Sequence, residues 1–116
     1  MTKIVQVANA MISNSNKISN VLKNNKEYFF LYNKKYKWSI SKSEDEDYFL
    51  HFYPIDTMTI EELSVLNDWT YFNQFVTYTT KDIKTLESVE TFRELYQIVS
   101  DKIFGLDEIF DEIINE

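Results

Sequence analysis

The residues able to do chemistry in this sequence are few and far apart. In 116 residues histidine occurs once, as His51, glycine once, as Gly105, and cysteine not at all. Without cysteine there is no disulfide, thiol nucleophile, iron–sulfur cluster or thiolate zinc site, and a lone histidine excludes nearly every other zinc arrangement. One glycine excludes the loops that cradle phosphates or dinucleotides through closely approaching backbone. A serine nucleophile would need His51 as its base, and no serine stands in a G-x-S-x-G turn. His51 sits in a run of aromatic and aliphatic residues, where a packed or rim histidine is favoured over a catalytic one. The consecutive acids Glu44, Asp45, Glu46 and Asp47 diverge, as in a solvated turn, and no calcium loop or H-E-x-x-H helix accompanies the other carboxylates. No catalytic residue, metal ligand or cofactor is therefore expected.

What remains is charge and aromatic surface. The net charge is −7, and it is unevenly laid out along the chain. Residues 1–42 hold eight lysines against the single acid Glu27, a charge of +7, whereas residues 43–116 hold eighteen acids against Lys81, Lys84, Arg93 and Lys102, a charge of −14. If the two segments interleave in the fold, ordinary surface pairs of small worth neutralise them. If they separate, the acidic side steers toward a basic protein surface and repels polyanions. The residues that would form such a side are Glu44, Asp45, Glu46, Asp47, Asp56, Glu61, Glu62, Asp68, Asp107, Glu108, Asp111 and Glu112. Arg93 is the only arginine, which disfavours bidentate reading of guanine or phosphate, so direct binding of double-stranded DNA is not expected.

The elements that must carry these residues can be read from periodicity. From Lys3 to Lys23, Ile4, Ala8, Met11, Ser15, Ile18 and Leu22 recur at three- and four-residue steps, which predicts an amphipathic N-terminal helix capped by Thr2 and closed by Asn24 or Asn25. Ser13, Asn14, Ser15 and Asn16 are poor helix formers that can split it. Three strands follow, at 28–32, 36–42 and 48–53, joined by turns at Asn33–Lys35 and Ser43–Asp47. In the second, Tyr36, Trp38 and Ile40 alternate with Lys37, Ser39 and Ser41, predicting one buried and one wet face. Thr59, Ile60, Glu61 and Glu62 spell a capping box before a short helix reaching Leu66 or a little beyond. A fourth strand is expected over 72–80, a helix from near Ser88 to about Ile103, a cap at Gly105, and a last helix over 106–114. The fold class is α+β: an N-terminal helix, a three- or four-stranded antiparallel β-meander, a short helix and two C-terminal helices, in one domain spanning 1–116.

The aromatic runs around Tyr28–Tyr32 and Tyr48–Tyr53 place rings on both faces of this sheet. Either helices cover both faces, or some rings form a platform that docks a partner. The N-terminal stretch resembles a leader with an A-x-A site, but its apolar run is short and interrupted by Gln6, and no run reaches the length of a membrane span. A cytoplasmic protein with no membrane contact is expected.

The leading expectation is a small, acidic, non-enzymatic protein-binding module that inhibits a basic or nucleic-acid-processing partner, such as a nuclease or toxin. Immunity proteins and phage anti-defence proteins are settings that suit such a chain, by analogy alone. An alternative is a homodimer or larger homo-oligomer that holds a small ligand or nucleotide in an aromatic pocket near Tyr36, Trp38 and Trp69. A further alternative is a carboxylate-dependent metal hydrolase using Glu44–Asp47 or Asp107–Glu112.

Overall fold

The structure, a computed structural model, describes residues 2–66, 74–103 and 105–116, and for 106–108 the backbone alone. It is an α+β fold in which helix α1 (Lys3–Ser13) precedes strands β1 (Ile18–Asn24), β2 (Glu27–Tyr32), β3 (Tyr36–Lys42) and β4 (Tyr48–Tyr53). The short helix α2 (Ile60–Ser64) follows, then β5 (Val76–Thr79) and the helices α3 (Thr80–Ile83), α4 (Leu86–Lys102) and α5 (Leu106–Ile114). The strands form one antiparallel sheet in sequential order β1-β2-β3-β4-β5. The meander thus has five strands rather than three or four, and the extra one is β1.

The N-terminal segment is where sequence periodicity misleads. Helix α1 ends at Ser13, where the Asn14 side chain and backbone both donate to the Ala10 carbonyl. The run Ser13–Asn16 stops the helix for the reason it predicts poor helicity, since short polar side chains compete for backbone partners. A 3-10 turn over Ser15–Lys17 then leads into β1. Within β1 the pairing register shifts between Ser19 and Leu22, and Asn20 takes a positive φ of 54°. This bulge inserts one residue, so Ile18 and Val21 both reach the core under α1 while Leu22 reaches the opposite layer. A strand interrupted in this way has apolar residues three and four apart, the spacing of a helix face. Asn25 has a positive φ of 57°, in the tight turn between β1 and β2 and not at a helix end. Thr2 occupies the N-cap position of α1, but its side chain makes no capping hydrogen bond.

Both faces of the sheet are covered. On one, α1 and α4 pack Ala8, Met11, Phe92, Leu95 and Val99 against Tyr28, Phe30, Ile40 and Leu50 of the central strands. On the other, Ile55, Ile60 and Leu63 pack with Phe29 and Tyr53, and Leu22, Leu31, Met58 and Phe75 border them. Helix α2 is nucleated as expected: Thr59 accepts from the Glu62 N–H while the Glu62 carboxylate accepts from the Thr59 N–H. The helix is shorter than expected, ending at Ser64. Because α2 and the segment before it roof this second face, the β3 positions read as wet are not: Ser39 is fully buried and the Lys37 ammonium donates to the Ile55 carbonyl at 2.6 Å. Double coverage accounts for the surplus of rings. The fourth predicted strand begins later than expected among the described residues, at Val76, and Phe72 lies outside them. Gly105, with φ 64°, lies between α4 and α5, where only a residue at ease in the left-handed region fits without strain.

Candidate functional site

Two features stand out once the chain is folded: a polar cluster inside the second face of the sheet and the outer surface of α5. The cluster arises from register. Phe29, Ser39, His51 and Thr77 are consecutive partners across β2, β3, β4 and β5, with Glu27 and Tyr53 on neighbouring rungs. Since alternate residues of a strand share a face, all of these side chains except the packed Phe29 can meet as one polar row. The Ser39 hydroxyl donates to Glu27 Oε2 at 2.6 Å. Having spent its only proton there, it accepts from the Tyr53 hydroxyl, 2.7 Å away. His51 Nδ1 lies 2.8 Å from the Thr77 hydroxyl, and His51 Nε2 lies 3.8 Å from Glu27 Oε2.

The electrostatics of the row follow from its half-buried position. Burial holds the His51 pKa below its ordinary 6.5, with the nearby Glu27 charge opposing that shift. Imidazole is therefore the neutral form at pH 7, held in place and not poised as an exposed base. Burial, followed by the Glu27 charge, drives the Tyr53 hydroxyl well above the usual phenol range, so it remains a donor at any ordinary pH. Glu27, His51, Tyr53 and Phe75 line a cleft of about 210 Å³. None of Glu27, Ser39, Tyr53 or Thr77 stands out in the sequence as a site residue. The signal that finds them is Ser39, a small polar residue in the middle rung of an aromatic sheet.

Among the described residues the acids singled out by charge lie on different elements and at both ends of the sheet. In a meander successive turns alternate between sheet ends, so Glu44–Asp47, between β3 and β4, share an end with Lys26, between β1 and β2. Lys42, partly exposed, and Glu46, largely exposed, pair there at 3.9 Å. Asp56 follows β4 at the other end, the end that also carries Lys34 and Lys35 in the turn between β2 and β3. Glu61 and Glu62 lie in the first turn of α2, and Glu62 is occupied in its capping box. Asp111 and Glu112 are exposed on α5. Asp107 and Glu108 are in the same helix, while Asp68 and Trp69 lie outside the described residues. The +7 and −14 segments therefore mingle at the sheet ends. Among the described residues no three carboxylate or histidine groups converge as metal ligands would.

Comparison with protein families, curated proteins and solved structures returns no match. Function must therefore be argued from this surface alone.

Of the remaining aromatic candidates, Trp38 belongs to the core, 9% exposed with its ring 4.7 Å from that of Phe52. It also borders a hollow shared with Thr2, Lys3, Ile4, Val7 and Tyr78. Tyr36 is 41% exposed at the start of β3. The larger apolar surface is on α5, where Ile109, Phe110, Ile113 and Ile114 are 45, 53, 60 and 77% exposed. Their one-, three- and one-residue steps put them on one stripe of the helix. Among the described residues no helix is long and apolar enough to cross a membrane.

Proposed function

We propose that this chain is a non-enzymatic protein-binding module that docks on its partner through α5. The observation that carries the reading is the apolar stripe Ile109, Phe110, Ile113 and Ile114, four large side chains that the fold leaves 45–77% exposed. Contiguous exposed apolar surface of this kind marks interaction sites, whereas scattered single residues do not. A helix presenting such a stripe suits a complementary groove, with aromatic and aliphatic anchors supplying most of the affinity.

Charge chooses between the surfaces that can receive it. Asp111, Glu112 and Glu116 are exposed on and after the helix, and the segment 106–114 contains no lysine or arginine. A second copy of α5 would set carboxylate against carboxylate around the seam. A partner groove rimmed by lysine and arginine is complementary, and it would gain association rate and register from these acids more than raw affinity. Proteins that handle nucleic acid carry such basic rims, so inhibition of a nuclease or toxin is the biological role we favour, with immunity and anti-defence settings as its natural examples.

The test uses the full chain, tagged and expressed in its native host. Wild type and an Ile109→Ser, Ile113→Ser variant with an unchanged circular dichroism spectrum are compared for recovery of one defined partner across a salt series. Recovery by wild type that weakens with salt and is lost in the variant supports the reading. Equal recovery by both chains contradicts it.

A further inference from the structure

We infer that the cleft between Glu27, His51, Tyr53 and Phe75 is a binding site for a guanidinium or ammonium cation. It is separate from α5, since it opens on the sheet face that α2 covers, whereas α5 follows the helix packed on the opposite face. The Glu27 side chain is 28% exposed, its Oε2 engaged by a neutral hydroxyl and approached by the imidazole of His51. Among the described residues no lysine or arginine lies within ion-pairing distance of it. Lys26 and Lys42 line the adjoining, more polar hollow that Glu27 also borders, and Lys42 is paired with Glu46.

Beside this carboxylate three rings that touch one another line the cleft. Phe75 meets His51 edge-on at 5.7 Å and Tyr53 at 6.0 Å, and His51 and Tyr53 are 6.4 Å apart. An aromatic lining is compatible with a cation, and a partly desolvated carboxylate adds a charge-assisted hydrogen bond that a planar guanidinium can satisfy. An anion would meet the Glu27 charge. The volume, about 210 Å³, admits a cationic head group and part of its alkyl stem. It lies below the range of pockets that hold nucleotides or drug-sized ligands. The same chemistry is available from an arginine side chain of another protein or from a free alkylguanidine.

The chain has one histidine, so the His51 imidazole protons give an unambiguous proton NMR reporter at the wall of the cleft. n-Butylguanidine, N-acetyl-arginine methylamide and the neutral isostere N-acetyl-citrulline methylamide are titrated in turn at constant ionic strength. A saturable His51 shift with both cations and none with the citrulline compound is expected, with Glu27→Gln weakening the affinity roughly tenfold or more. Phe75→Leu, which keeps apolar volume and removes the ring, should weaken it about threefold or more, and serves if the Glu27 variant does not fold. Tighter binding of n-butylguanidine points to a free alkylguanidine; tighter binding of the arginine amide points to a protein side chain. No saturable shift, equal binding of citrulline, or unchanged affinity in either folded variant overturns the assignment.

Discussion

Ser39 is the residue on which the interior of the second sheet face turns. It is fully buried, donates to Glu27 and accepts from Tyr53, so replacing it by alanine removes two hydrogen bonds at once. A hydrogen bond contributes about 0.5–1.5 kcal/mol net, more where one partner is charged, and Ser39→Ala is expected to lower unfolding free energy by about 1–3 kcal/mol, measured by urea titration. His51 gives a second prediction with a definite sign. Its folded pKa lies below 6.5, so as pH falls through 6.5 the unfolded chain takes up a proton that the folded chain refuses until lower pH. Stability is fully present above about pH 6.5 and is lost progressively as pH drops from there toward the folded value. The urea midpoint of wild type should fall between pH 7 and pH 5.5, and the fall should be smaller in His51→Gln. The sequence shows His51 as a packed or rim histidine and stops there. Its partners come from β2, β3 and β5, at separations set by strand register, which composition and spacing do not encode.

At the scale of elements, periodicity was sufficient wherever a segment kept one period throughout. Strand β3 alternates, β2 and β4 are dense aromatic runs bounded by turns, all three are found near their predicted bounds, and the capping box at Thr59 and Glu62 forms. Helix α4 begins two residues before Ser88, its Thr85 cap accepting from the Ser88 N–H. Strand β1 escaped because a bulge disguises its alternation, and α3 escaped because a single turn has no periodic face to detect. The bulge makes its own prediction. Asn20 tolerates a positive φ, whereas a β-branched residue there is strained, so Asn20→Val should destabilise by about 1–2 kcal/mol despite raising strand propensity. Thermal unfolding of Asn20→Val beside Asn20→Gly distinguishes this from simple loss of a side chain, because glycine should be tolerated far better. The aromatic surplus was legible as a choice between double coverage and a docking platform, and α2 with its approach segment decides for coverage.

For the whole molecule, the central division is between apolar side chains that hold the fold together and those it leaves outside. Phe92 is fully buried under the sheet and Phe110 is 53% exposed, although both lie on amphipathic C-terminal helices. Phe92→Ala should cost about 3–5 kcal/mol, whereas Phe110→Ala should stay within about 0.5 kcal/mol by the same denaturation assay. A larger loss at Phe110 would mean that α5 belongs to the structural core. Net charge was the most visible whole-molecule property in the sequence, but the meander interleaves its basic and acidic segments at both sheet ends. The acids that retain a directional role are those beside the α5 stripe, where apolar surface gives them something to orient. The most direct measurement is amide hydrogen exchange on the free chain and on the complex recovered from the native host. Residues 106–114 should gain protection in the complex while the turn at Glu44–Asp47 exchanges unchanged; unchanged exchange in α5 with protection appearing elsewhere would contradict the proposed mode of binding.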